Sequence, residues 1–145
     1  MKGSNLTGSF RVRITRPALD EVRKLSARVR DGIEIRRHLL KLRFWPENHP
    51  EDERGQILDL DWCWLKSLPK SKVGELRIHD VISGHDNLRA IFYVGDSRIR
   101  EPLPMIWILS VFQKKTQEIS THKARIFEVR KIMVQERFES GHSGL

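Results

Sequence analysis

Between Gly74 and Asp80 the chain reads GELRIHD. Alternation along that run sets Glu75, Arg77 and His79 on one side of a strand, with Leu76 and Ile78 on the other. A second run, Leu88 to Val94, places Arg89, Ile91 and Tyr93 on one face, and Ser83-Gly84-His85-Asp86-Asn87 joins the two as a hairpin-type connection. Ordinary hairpin register brings Arg77 beside Arg89. Neighbouring guanidiniums repel unless an anion lies between them, and their planar forks suit phosphate oxygens. The competing expectation is a solvated face on which both arginines pair with Glu75, Asp80 or Asp86.

A third run, Leu103 to Phe112, is followed directly by Gln113-Lys114-Lys115-Thr116-Gln117, which delivers two lysines to a sheet end. This is either an anion-binding corner or a strand terminus made soluble by charge. His79 and His122 neighbour these cations in the expected layout, which suits either one to move a proton. His79-Asp80 and His85-Asp86 offer ligands for a divalent ion, but their spacing matches no closed zinc pattern, and the single cysteine, Cys63, excludes a thiolate-rich site. Neither a metal nor another cofactor is expected. Trp62, Trp64 and Trp107 read as core residues rather than base-stacking platforms. No glycine-rich phosphate loop or nucleophile elbow is present.

The elements that must position these residues follow from periodicity. Phe10, Val12 and Ile14 alternate with Arg11, Arg13 and Thr15, giving an N-terminal strand. Pro17 opens a helical stripe through Leu19, Val22, Leu25, Val29, Ile33, Ile35, Leu39, Leu40 and Leu42. Asp31-Gly32 divides it into a hairpin of helices over 17–30 and 33–43, which Trp45-Pro46 ends. Residues 46–61 form an acidic, mobile loop. Met105-Ile106-Trp107-Ile108-Leu109 lacks polar alternation, so that strand is central and covered on both faces. A last helix over 121–138 carries Ile126, Val129 and Met133 inward, with Ser120 or Thr121 as its N-cap. The whole is an α+β reading with one antiparallel sheet of about four strands. A flexible tail 1–9, a single domain 10–138 and a flexible tail 139–145 are expected.

At 145 residues the chain is long enough to bury one core without disulfides, and its net charge of +8 points to an anionic partner. That charge is uneven. Residues 1–45 carry 12 basic and 4 acidic side chains, whereas 46–62 carry 1 basic and 6 acidic, an interruption foreign to a nucleic-acid coat. With no apolar run of signal-peptide or membrane-span character and one lone cysteine, the expected compartment is the cytoplasm.

Three blocks in order, Gly74-Glu75-Leu76-Arg77-Ile78, Asn87 to Val94 and Ile106 to Gln117, resemble the RelE/ParE superfamily of toxins, specifically the phage-derived HigB-like branch of type II toxin–antitoxin systems. The resemblance spans about Trp62 to Phe138, and the strand and helix pair before it fit a RelE-like single domain. It implies a toxin that cleaves mRNA, in the ribosomal A site and without a metal, through attack of the 2′-OH on the adjacent phosphate. Arg77, Arg89 and Lys114 match its basic positions. RelE-type members carry a tyrosine near the start of the last helix, where residues 118–122 here are Glu-Ile-Ser-Thr-His, a departure from that pattern; His79 or His122 is expected to move the proton. Lys115, Arg11, Arg13 and Lys123 are the expected RNA contacts. The implied partners are mRNA, the ribosome and a cognate antitoxin, a helix-turn-helix protein; no membrane is involved. Two other readings accompany this one: a ParE-like toxin that binds gyrase without chemistry, and a non-catalytic phage-derived binding module.

Overall fold

The computed structural model describes residues 10–26, 29–52, 54–78, 87–95, 104–114 and 119–139. Its elements are β1 (Arg11–Ile14), α1 (Arg16–Leu25), α2 (Val29–Leu40), β2 (Trp62–Trp64), β3 (Val73–Ile78), β4 (Leu88–Val94), β5 (Met105–Gln113) and α3 (Thr121–Val134). A 3-10 turn, Lys41–Phe44, follows α2, and a π turn, Gln135–Glu139, follows α3. The expected tails, 1–9 and from 140 onward, lie outside the described residues, and Glu139 belongs to the last helical turn.

The five strands lie in the order β1-β5-β4-β3-β2. From β2 to β5 every pairing is antiparallel, but β1 runs parallel to β5, with Val12 opposite Ile106 and Ile14 opposite Ile108. The α+β class therefore holds, whereas the expected antiparallel sheet of about four strands becomes a mixed sheet of five. Alternation assigns faces to a strand and not neighbours, so the parallel pairing had no local signal. The fifth strand, β2, has three residues, two of them tryptophan, too few to register as alternation.

Helices cover both faces. The α1–α2 pair packs Ala18, Val22, Ile35 and Leu39 against Leu76, Ile78, Leu88, Ala90, Phe92, Ile106 and Ile108. The α3 helix lies on the opposite face, with Phe127 and Val134 against Val73, Ile91, Tyr93, Met105, Trp107 and Leu109. Burial of β5 from Met105 to Val111 on both sides explains its unbroken apolar run.

Thr15 caps α1 by accepting from the Ala18 N–H, with Pro17 in the first turn. This helix stops at Ser26 rather than at Asp31-Gly32, which lie inside α2. Ser26 turns extended while both its hydroxyl and its N–H donate to the Val22 carbonyl, closing the helix end. Ser120 caps α3, accepting from the Lys123 N–H. The inward face of α3 is Ala124, Phe127 and Val134; Val129 and Met133, expected inside, are exposed. Apolar residues surround that helix, so spacing alone did not choose its buried side.

The acidic stretch is folded back on itself. Glu51 and Ile57 form an isolated bridge, and the N–H groups of Leu58 and Leu60 donate to the carbonyls of Pro50 and Asn48. Beyond it, Trp45, Trp62 and Phe92 form a cluster of tilted and edge-to-face rings that also takes in the half-exposed Trp64, a residue expected in the core. Gly74 makes room for this layer, because a Cβ there would stand 2.5 Å from Phe92 Cζ.

Past Ile108 strand β5 outruns β1, and side chains replace the missing strand. Glu21 of α1 accepts from the Val111 N–H and the Ser110 hydroxyl, while Arg130 of α3 donates to the Leu109 carbonyl and to both oxygens of Glu21.

Candidate functional site

The β3–β4 register sets Arg77 directly opposite Arg89, and Glu75 opposite Ile91. Because Leu76, Ile78, Leu88 and Ala90 face the α1–α2 layer, Glu75, Arg77 and Arg89 project from the α3 face. The next strand completes the row, since Arg89 pairs with Phe112 of β5. The Lys114 N–H donates to the Asn87 carbonyl at 2.8 Å, which carries the lysine to the end of the same sheet.

Glu75 is the centre of the group. Its side chain is 7% exposed, with Arg89 Nε 2.8 Å and Lys114 Nζ 3.8 Å from the same oxygen, Oε2. The two cations are 14% and 17% exposed. A carboxylate this buried is tolerable only when paired, and here two cations converge on it. Arg89 Nε and Glu75 Oε2 touch without the alignment of a hydrogen bond, so the contact is electrostatic and its hydrogen-bonding capacity is unspent. Arg89 also donates from a terminal nitrogen to the Leu88 carbonyl.

Arg77 is the open member. Its side chain is 46% exposed and lies 4.0 Å from Asp61, while its N–H donates to the Asp61 carbonyl. On the other flank, Lys123 in the first turn of α3 sets Nζ 3.6 Å from the centroid of the Phe112 ring, which stacks on Phe127. The arrangement is a strip of cations across three strands and a helix start, with one buried carboxylate beneath. An anion bridging Arg77 and Arg89 is offered two guanidinium forks, the second held from behind by Glu75.

The structure thus brings together Arg77, Arg89 and Lys114, with Lys123 on the flank. His122 is exposed beside Lys123 and makes no hydrogen bond or ion pair among the described residues. His79 and Lys115 lie outside the described residues. Arg11 and Arg13 stand apart: they pair with Met105 and Trp107, and the Arg13 guanidinium lies 5.9 Å from the Trp107 ring, which also stacks on Phe138. Trp107 and Phe112 are five residues apart on β5, about 17 Å at a strand's rise of roughly 3.4 Å per residue. Glu75 is the site residue that sequence reasoning passed over, since it figured only as a partner on a solvated face. Its one signal was its place two residues before Arg77 on the same side of the strand.

Among the described residues, no group of three or more His, Cys, Asp or Glu side chains is placed to hold a metal ion, and no helix is long and apolar enough to cross a membrane. Compared with known proteins, the chain matches no family model, no curated protein and no solved structure.

Proposed function

We propose that the strip formed by Arg77, Arg89 and Lys114 binds the scissile phosphate of RNA, and that the protein is an endoribonuclease toxin of the RelE/HigB type. The observation that carries this reading is the opposition of Arg77 and Arg89 in the β3–β4 register, with Lys114 reaching the same buried carboxylate. RNA brings its own nucleophile, the 2′-OH. What it needs from a protein is orientation, proton transfer and stabilisation of charge on a five-coordinate phosphorus. Two guanidiniums and an ammonium provide the last. His122 is the proton carrier among the described residues, and His79 the other candidate. Cleavage leaves a 2′,3′-cyclic phosphate and a 5′-OH without a metal. An antitoxin that neutralises the strip, a cytoplasmic setting and a ribosome-bound substrate complete the proposal.

The test uses the purified full-length chain and end-labelled mRNA, with and without translating ribosomes. Expected are discrete cuts bearing those termini, reduced about 100-fold or more in Arg77→Ala and in Arg89→Ala. Intact RNA under both conditions overturns the reading.

Binding without cleavage is a second reading, favoured by one observation: Glu75 already offsets part of the charge of Arg89 and Lys114. Under it, Arg77→Ala weakens RNA retention while the wild type cuts nothing. Growth arrest with intact mRNA and stalled replication supports instead a ParE-like action on gyrase.

A further inference from the structure

A second concentration of cations lies on the α1–α2 side of the sheet. A groove of about 650 Å³ runs between the end of α2 with its following 3-10 turn and the 46–61 segment. Arg37 and Lys41 line one wall and Arg54 the other, with Asp52 and Asp59 as the carboxylates. Arg37 and Lys41 are four residues apart, and they share a wall despite the repulsion this spacing brings.

Four cations, Arg37, Lys41, Arg43 and Arg54, line this groove against two carboxylates, so positive charge remains in excess. Asp52 is buried and spends Oδ1 on its own turn, accepting from the Arg54 and Gln56 N–H groups at 2.9 Å each. The Gln56 N–H, with Arg54 behind it and against the opposing effect of burial, holds the Asp52 carboxyl below its ordinary range. The half-buried Lys41 donates not to a carboxylate but to the backbone carbonyl of Asp59, at 3.2 Å. Burial outweighs the nearby Asp59 charge and holds the Lys41 amine below its ordinary value. A desolvated ammonium whose direct partner is a neutral carbonyl gains from an anion more than an exposed lysine does.

We propose that this groove is a phosphate-binding site, taking a phosphoryl or phosphodiester group between Arg37, Lys41 and Arg54. The chemistry is that of an anion with several acceptor oxygens: Arg37 and Arg54 present forks from opposite walls, and Lys41 supplies a point charge at the base. The most acidic stretch of the chain therefore builds a wall of a cation groove, because it turns Asp52 into its own backbone and leaves Arg54 outward. The assignment draws nothing from Arg77 or Arg89, and it stands whether or not the other face cleaves RNA.

The experiment is NMR on the full-length protein, following the Lys41 side chain and the Arg54 and Gln56 amides. Inorganic phosphate, adenosine monophosphate and a ten-nucleotide single-stranded RNA are titrated at matched ionic strength. Expected are shifts confined to those groups, a Lys41 titration that moves upward with ligand, and affinity reduced about tenfold in Lys41→Met and in Arg37→Ser. The exposed Lys66→Ala control should bind as the wild type does. Binding of the RNA far more tightly than phosphate identifies a nucleic-acid backbone as the source; equal binding of all three identifies a small phosphate-bearing molecule. If Lys41→Met fails to fold, the surface variant Arg37→Ser decides. Shifts spread over the exposed arginines at large, or equal in Arg37→Ser and wild type, overturn the proposal.

Discussion

The two faces of the sheet handle concentrated positive charge in opposite ways. On the α3 face, Arg89 and Lys114 converge on one buried carboxylate, so the cations are fixed and half of their charge is offset before any ligand arrives. In the groove beside α2, cations outnumber carboxylates, Asp52 Oδ1 is bonded to its own turn, and Lys41 donates to a carbonyl. The first arrangement provides geometry and the second provides unspent charge. In the first, the ion pair should therefore support folding. In the second, the cation should oppose it.

Arg89→Met is the severest way to break that comparison. Removing one partner of a buried pair leaves the other uncompensated, and the expected loss is about 3 kcal/mol by urea unfolding, at the lower end of the usual range because Lys114 remains. Glu75→Gln combined with Arg89→Met should recover much of it. A loss under about 1 kcal/mol in the single variant would mean that Glu75 is effectively hydrated, and the contrast fails.

Gly74→Ala asks whether the neighbouring aromatic layer holds β3, and with it Glu75, in place. The new methyl meets the Phe92 ring, and the expected cost is about 2 kcal/mol. A variant as stable as wild type would show that the ring yields freely.

Lys41→Met should act in the opposite sense, raising stability at neutral pH by about 0.5 kcal/mol, a small figure because half exposure screens the charge. The sign follows from linkage. With its folded-state value lowered, Lys41 penalises folding while protonated, and the penalty fades as pH rises toward the ordinary lysine value of 10.5. The gain from Lys41→Met should shrink over the same range. A variant less stable than wild type at pH 7 would sink this account.

The smallest effect is local. The lowered Asp52 carboxyl stabilises its turn fully above the ordinary value of 3.8, and that support disappears as pH falls through the folded-state value. Amide exchange at Gln56 and Leu58 should accelerate there before the core strands respond. Unchanged exchange would show that the turn does not depend on the carboxylate.

Much of the α3-face site was legible because it rests on period-two alternation: Arg77 and Arg89 are facing residues of one hairpin, and the sheet is built on that register. Strands β1, β3 and β4 were read from the same alternation, β5 from an unbroken apolar run, and helix α3 from spacings of three and four. The groove was illegible for a matching reason. It joins Arg37 to Arg54 across a stretch that is acidic in sequence, and only the fold of the 46–61 segment sets Arg54 against the end of α2. The buried state of Glu75 was hidden too, since a carboxylate between arginines reads equally well as solvated. Long-range pairings such as β1 with β5 leave no mark on either strand alone.

The side chains along β5 past Ile108 have a bearing on how copies of this chain behave at high concentration. An unpaired strand rim with a free N–H and carbonyl is a template on which a foreign strand can grow. Glu21 and Arg130, arriving from opposite layers, occupy those groups at Val111 and Leu109. One ion pair 109 residues apart in sequence thus takes up backbone groups that a foreign strand would need. Glu21→Ala should leave the core intact, yet open that rim to fibre-like strand addition.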